Sequence, residues 1–456
     1  MIVLKFGGTS VSSEGKIRNI FNILKKIFMD SRLRGNDGKG IDGKSEAVVV
    51  VSAVAKVTDL LLKCADSSAQ EVDETILEIE KIHLELIHLL YKDEEIREQA
   101  EKYLQLQLLS IKNIAGENLN PALKDELVSF GEILSSFLVS LFLKEKGLAS
   151  KQVIATKLIV SNSEFMGAEF EPEATSKKVK NILLPLIKKG IVPVVTGFIA
   201  SDSKGRTTTL GRGGSDYTAS ILGFVLKAKE VQIWTDVDGI FTADPGVVPE
   251  AKHIHQISFR EASEMATFGA KVLHPKTIRP AIEANIPVRV LNTAHPEGHG
   301  TLITKNSASA GFKAISFKRK TVLVNIYSTE MLLSKGYLVK LFSIFAEANI
   351  SVDLVSVSEV SVSVTLDNDQ NLDQAVSKLN QFAKVTVSRN AGMISLIGEG
   401  IVSHSHIIKN VFDLMHQQKI SIKMVSLGAS DINISLVLEA EDVEKTVRLV
   451  HERILR

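Results

Sequence analysis

Cysteine is all but missing: of 456 residues only Cys64 carries a thiol. A lone cysteine cannot close an internal disulfide, which fits a reducing compartment, and its helical apolar setting makes it a packing residue rather than a nucleophile. Excess charge is missing too. Lys and Arg number 54 against 53 Asp and Glu, a net charge of +1, so no bulk field draws the chain to nucleic acid or an anionic membrane. Long hydrophobic runs are absent: the longest strongly apolar stretch, Ala47–Ala55, falls far short of the ~20 residues a membrane span needs. The N-terminus, MIVLKFGGTS, meets Lys5 and two glycines before any apolar segment of the roughly 7–15 residues that a secretory signal requires. These absences lead us to expect a cytoplasmic protein with neither nucleic-acid nor membrane partners. The letters of the Walker A pattern G-x-x-x-x-G-K-[ST] fall at Gly38–Ser45, before a strand and not between a strand and a helix as a phosphate loop requires, so any phosphate site here is of another kind. What is present is an ordinary globular balance, 45% hydrophobic and 23% charged, in a chain long enough for two or three domains of roughly 100–200 residues.

Apolar, β-branched runs alternate with longer helical stretches up to about residue 305. Ile2–Phe6, Ala47–Ala53, Val153–Ala155, Ile191–Thr196, Glu230–Thr235 and Pro287–Leu291 read as strands, and Gly15–Met29 as an amphipathic helix. The runs are continuous rather than alternating, as strands covered on both faces require. The expected architecture is therefore α/β, a mostly parallel sheet sandwiched by helices. Asp30–Ser45, with four glycines and scattered charge, cannot build a core and reads as a flexible surface insertion. Glu71–Ile114 reads as an all-helical excursion from the sheet. Beyond Gly311 the units shorten, and two segments repeat: Val339–Ser356 aligns with Lys409–Ser426, matching Phe342 to Phe412, Ile350 to Ile420 and Ser351 to Ser421. Each copy is a helix leading into a strand, so two related small domains are expected.

Four motifs carry chemistry. Lys5-Phe6-Gly7-Gly8-Thr9-Ser10 ends the first strand; its glycines let backbone N–H groups approach a phosphate, and Lys5 brings a fixed positive charge. Taken alone, the same residues are also a plain strand-to-helix turn. Gly205–Ala219 (GRTTTLGRGGSDYTA) is too polar for a core element. Arg212 offers a planar fork for a carboxylate, Gly213 and Gly214 bring main-chain donors close, and Asp216 sits at a helix start; the alternative is a capped flexible loop. Trp234–Pro245 (WTDVDGIFTADP) places carboxylates and hydroxyls just after a strand, where a nucleotide site at the edge of an α/β sheet would lie, or else forms an acidic turn without a ligand. In Phe268–Pro275 (FGAKVLHP), Lys271 either reaches a nucleotide or is merely solvated. His253 and His255 lack a nearby third ligand and read as a surface pair, so no protein metal site is expected.

Together these motifs, with SFGEILSS at Ser129–Ser136, resemble the aspartate kinases of the amino-acid kinase superfamily in order and rough spacing, over nearly the whole chain apart from residues 30–45. The resemblance implies an amino-acid kinase domain at 1–305, followed by two ferredoxin-like βαββαβ ACT domains at 315–392 and 393–456, possible partners in an interleaved pair. It implies transfer of the ATP γ-phosphoryl group to the β-carboxylate of L-aspartate, at the head of lysine, threonine and methionine synthesis, by the monofunctional, lysine-sensitive type. Lys5 and Asp216 would be catalytic. Ser52, Thr58, Glu132, Phe198, Arg212, Gly213, Gly214 and Ser215 would bind aspartate, with Arg212 on its α-carboxylate and Glu132 on its ammonium group. Lys5, Phe6, Gly7, Gly8, Thr235, Asp236, Phe241, Lys271 and Val272 would contact ATP, whose Mg²⁺ would be held mainly by the phosphates. Met331, Ser334, Ser351, Val352, Asp353, Ser358 and Glu359 would bind lysine as an inhibitor, in a pocket completed across a homodimer formed through the ACT domains. The family often has Tyr where Phe241 stands and Arg where Gly246 stands; the second departure removes a nucleotide contact. The VSAVAKVTDLL, FGE and GRTTTLGRGGSDYTA set favours aspartate over glutamate, carbamate or a nucleoside monophosphate. The absence of a dinucleotide fingerprint disfavours a fused homoserine dehydrogenase, and intact Lys5, Glu132, Arg212 and Asp216 disfavour a silent amino-acid sensor.

Overall fold

The computed structural model describes residues 1–29, 46–270, 273–307, 309–332, 334–427 and 430–455. The expected 30–45 insertion lies outside them. Two compact units emerge, one of Met1–Ile240 with Leu273–Lys305, the other of Phe241–Val272 with Asn306–Arg456.

The first unit is built on strands β1 (Ile2–Phe6), β2 (Ala47–Val51), β3 (Ser150–Val153), β4 (Val160–Ser161), β5 (Val192–Thr196), β6 (Ile199–Asp202), β7 (Thr207–Thr209), β8 (Glu230–Thr235), β9 (Val288–Asn292) and β10 (Thr301–Thr304). The main sheet runs β10-β9-β8-β1-β2-β5-β3. All its pairings are parallel except that of β10. Every residue of β1, β2 and β5 is buried, which is why those segments are apolar without alternation. Parallel register brings Phe6, Val51, Trp234 and Leu291 level with one another, so the turns after β1, β2, β5, β8 and β9 all leave one sheet edge. That carboxyl edge is where open α/β sheets bind ligands. The short strand expected at 153–155 is instead Ser150–Val153, half-exposed at the sheet margin and followed by a 3-10 turn at Ala155–Lys157.

Helices α1 (Glu14–Met29), α2 (Val57–Cys64), α3 (Ala69–Leu90), α4 (Glu94–Ile114), α5 (Pro121–Glu145), α6 (Pro172–Lys188), α7 (Gly214–Leu226) and α8 (Pro275–Glu283) complete the unit. The helical excursion expected at 71–114 is the pair α3 and α4. The Ser68–Glu71 capping box starts α3, and Asp93 starts α4 by accepting from the amides of Glu95 and Ile96. Asn120 caps α5, with Pro121 at the first helical position, where its missing N–H costs nothing. By length and composition α5 could cross a membrane, a candidate that the sequence survey did not flag. Within the unit 83% of its most apolar window is buried, so it serves as a core helix packed beside β2, β3, β5 and β7.

The second unit contains a sheet of β11 (Ala314–Tyr327), β12 (Val355–Val357), β13 (Ser361–Leu366), β14 (Lys384–Ile397), β15 (Met424–Leu427) and β16 (Asn433–Glu439), ordered β12-β13-β11-β14-β16-β15. Helices α9 (Tyr337–Glu347) and α11 (Ser405–Gln417) occupy equivalent places in the two repeated segments, with α10 (Leu372–Leu379) and α12 (Val443–Val450) filling the second helix position. β11 and β14 are long enough to serve both halves. Residues 322–327 of β11 pair with β13, whereas 314–318 lie against the 393–397 end of β14, with register shifts between. The halves therefore exchange strand ends, and the expected boundary at 392/393 falls inside β14. Within this unit the helix Phe259–Thr267 is fastened by buried Glu261, which accepts from Lys313 Nζ at 3.0 Å and from the Glu399 amide at 2.9 Å.

Candidate active site

At the carboxyl edge of the first unit, the chain leaves β1 through Gly7 and Gly8 into a 3-10 turn, Gly8–Val11. A β-carbon on Gly8 would lie 2.7 Å from the Ala53 carbonyl oxygen. Only glycine lets this turn lie so close to the one after β2, where the Ala55 amide donates to the Gly8 carbonyl at 3.2 Å. The turn is also tied to β8: the amide of Gly7 and the hydroxyl of Ser10 both donate to the Trp234 carbonyl, at 3.0 and 3.2 Å, and Thr293 Oγ1 donates to Ser10 Oγ at 2.7 Å. The sequence singled out neither role, because a hydroxyl at a strand end looks the same whether it caps, solvates or bridges.

Lys5 projects from the penultimate position of β1 and pairs with Asp216 in the first turn of α7, Nζ to Oδ1 2.7 Å, both side chains largely buried. The turn before α7 depends on Gly213 at φ +69°, where a β-carbon would meet the Thr277 methyl at 2.8 Å. That conformation and closeness explain the glycine there. Gly214 packs on Phe198 and Gly197 on Ser215, each too close for a side chain. Phe198, itself at φ +66°, is held by its amide to Thr218 Oγ1 at 3.0 Å and by its carbonyl to the Leu210 amide at 2.8 Å. Arg212 is exposed on this turn. Burial, and then the neighbouring Arg212 charge, hold the His274 imidazole below its ordinary pKa.

Glu132 on α5 points the same way. Its Oε1 accepts from the Ala53 amide at 3.1 Å, while Oε2 has no hydrogen-bond partner. Desolvation pushes this carboxyl up to about 8, against the opposing pull of that hydrogen bond and of the Lys5 charge. A buried carboxyl with one idle oxygen is costly unless a cation arrives to meet it. Ser52 sits beside it, its carbonyl accepting from Ser135 Oγ at 2.7 Å, and Thr58 is half-buried in the first turn of α2.

On the next strand, Thr235 Oγ1 donates to Asp236 Oδ1 at 3.1 Å. Asn292, at the end of β9 and level with Thr235 of β8, braces the turn by donating to Asp238 Oδ1 at 2.8 Å. Lys5, Gly7, Gly8, Ser52, Glu132, Phe198, Gly213, Gly214, Ser215 and Asp216 are thus brought to one sheet edge, with Thr235 and Asp236 one strand over. Phe6 is different: its side chain is wholly buried and stacked 6.0 Å from Trp234, so the residue serves the core and has only main chain to offer a ligand. Phe241 belongs to the second unit, where it meets His253 edge to face at 5.5 Å. Lys271 and Val272 lie outside the described residues. Among the described residues no group of three or more His, Cys, Asp or Glu could hold a metal.

In the second unit, Asp353 already has a partner. Lys318 Nζ lies 3.0 Å from its Oδ2 and 2.5 Å from Asp367. Met331 and Val352 are half-buried; Ser334, Ser351, Ser358 and Glu359 are exposed. Ser358 and Ser361 share a hydroxyl contact at 2.8 Å.

The amino acid kinase family model matches residues 1–292, and an ACT domain model matches 394–454. The chain is 37% identical to lysine-sensitive aspartokinase 3 of Escherichia coli, over 100% of this chain and 99% of that protein. It is 36% identical to chloroplastic aspartokinase 2 of Arabidopsis thaliana, over 98% of this chain and 83% of the relative. Among solved structures it is similar to E. coli aspartokinase III in complex with aspartate and ADP (R-state), with a TM-score of 0.84, 36% identity and full coverage of both chains. A second structure of that enzyme, with lysine and aspartate (T-state), matches with a TM-score of 0.81 at 36% identity, again over both whole chains.

Proposed function

Because the chain belongs to the amino acid kinase family, and within it to the aspartokinases, we propose that its own residues carry out ATP-dependent phosphorylation of aspartate as follows. The β-carboxylate of aspartate, already ionised at neutral pH, attacks the γ-phosphorus in line. A carboxylate oxygen–phosphorus bond forms, the bond from that phosphorus to the bridging oxygen of ADP breaks, and 4-phospho-L-aspartate and ADP result. No general base is needed.

Lys5 steadies the charge on the transferring group, and Asp216 holds the lysine in place from the opposite loop. The glycine turn at 7–8 lets main chain approach the phosphates. Arg212 takes the α-carboxylate of aspartate and Glu132 its ammonium group, with Ser52, Thr58, Phe198, Gly213, Gly214 and Ser215 lining the same place. This opposed clamp leaves the β-carboxylate aimed at the nucleotide, so positioning supplies much of the rate. Thr235 and Asp236 face the nucleotide, with Phe241, Lys271 and Val272 assigned to it from the family motif. Mg²⁺ would accompany ATP: with no group of three or more His, Cys, Asp or Glu among the described residues, the ion would keep most of its ligands on phosphate and water.

The observation that carries this reading is the 2.7 Å contact between Lys5 and Asp216, which joins two glycine-lined segments far apart in the chain. Steady-state kinetics test it. Lys5→Ala is expected to lower kcat by at least about a hundredfold, whereas Arg212→Ala raises the KM for aspartate strongly. Near-normal kcat in Lys5→Ala removes its assigned role.

Lysine inhibits by binding near Met331, Ser334, Ser351, Val352, Asp353, Ser358 and Glu359, in a homodimer formed through the ACT domains. The lysine complex of the E. coli relative supports this assignment.

A further inference from the structure

Helix α5 carries two buried carboxyls seven residues apart, Asp125 and Glu132, close to two full turns and hence on one face. The clamp uses the second. The first is fully buried and, among the described residues, has no lysine, arginine or histidine to neutralise it. Desolvation raises its pKa, while its hydrogen bonds lower it. A carboxylate buried without a cation is expensive unless its hydrogen bonds are well made, so what it holds indicates what it does.

Both oxygens of Asp125 are engaged. Thr209 donates to it through its hydroxyl at 2.6 Å and its amide at 2.9 Å, and the Met166 amide donates at 2.9 and 3.1 Å. Thr209 ends β7, three residues before Arg212. Met166, at φ +66°, belongs to the loop that flanks the same turn: the Ala168 amide donates to the Thr209 carbonyl at 2.8 Å, and Gly211 lies against Gly167 and the Met166 carbonyl. One side chain therefore fastens both strands of chain around the Arg212 turn to the helix that presents Glu132.

We propose that Asp125 is a positioning residue for substrate: it fixes the separation of Arg212 and Glu132, and so the fit of the amino acid's two backbone charges. It does not touch aspartate itself. The proposal rests on the reading of Arg212 and Glu132 as the clamp. A carboxylate suits the place because the amides of Thr209 and Met166 can only donate to it, and the Thr209 hydroxyl, able to donate or accept, donates as well. Asparagine in its place removes the charge that strengthens these bonds and leaves one oxygen, in place of two, to hold both amides.

The test is a KM-against-kcat comparison on the full-length enzyme with four variants. Asp125→Asn is expected to raise the KM for aspartate roughly tenfold with the KM for ATP unchanged. Thr209→Val shifts it in the same direction and Thr209→Ser, which keeps the hydroxyl, restores it. Arg212→Ala serves as the control for the clamp. If Arg212→Ala leaves the aspartate KM unchanged, the clamp reading itself is wrong. If Arg212→Ala raises it while Asp125→Asn and Thr209→Val alter only thermal stability or active fraction, Asp125 is a structural residue and the proposal is overturned. Should Asp125→Asn fail to fold, the Thr209 pair decides the matter on the same readout.

Discussion

Glu132 combines full burial, an unpartnered oxygen and a carboxyl pushed up to about 8. Without substrate the folded protein keeps a proton that the unfolded chain releases above its ordinary value of 4.5. Stability is therefore lost as pH rises from that value toward 8. Glutamine cannot lose a proton and lacks this slope. Glu132→Gln is expected to raise the melting temperature of the substrate-free protein at pH 7–8 by several degrees, on the order of 1–3 kcal/mol, while weakening aspartate binding severely. Melting curves from pH 5 to 8 check it: the advantage must shrink toward pH 5, and a constant difference argues against a buried, proton-holding carboxyl. Such a trade of stability for function is common where a site keeps a buried polar group unpaired for its ligand.

Among the elements, α3 carries a second buried titrating group. His83 is fully buried, bonds through Nδ1 to the Ile79 carbonyl at 2.7 Å and is held down to about 4 by desolvation. Here the unfolded chain takes up a proton first, so stability present above pH 6.5 is lost as pH falls toward 4, by up to about 3 kcal/mol. His83→Leu should flatten the fall in melting temperature over that window, as thermal unfolding at pH 4.5 and 7 would reveal; an unchanged slope assigns the acid sensitivity elsewhere. The elements also mark what could be read in advance. Strands β1, β2, β5, β8 and β9 announced themselves because burial on both faces demands unbroken apolar runs. β3 was misplaced by a few residues because a half-exposed margin strand imposes no such pattern. Interleaving of the two small domains was raised by the family resemblance, but which strand ends cross was not: a repeat reveals like segments, not which copy a strand end joins. The glycine-rich motifs around Lys5, Arg212 and Asp216 stood out in the sequence, whereas Asp125 did not, since its partner Thr209 lies 84 positions away and nothing local separates it from a surface carboxylate.

At the scale of the molecule, catalysis and regulation are assigned to different units. Asp353 is engaged by Lys318, so under the proposed assignment an effector's ammonium group would compete with that lysine for the carboxylate. Asp353→Ala is expected to raise the lysine concentration needed for half-inhibition while leaving the uninhibited kcat near normal; rates across a lysine titration check this, and an unaltered curve removes Asp353 from the effector site. The product is an acyl phosphate. ATP turnover in the presence of hydroxylamine, which traps acyl phosphates, tests it most directly: the account predicts hydroxamate formed in step with ADP when L-aspartate is supplied and not when glutamate replaces it. ADP released with no aspartyl hydroxamate, or equal trapping with glutamate, would contradict it.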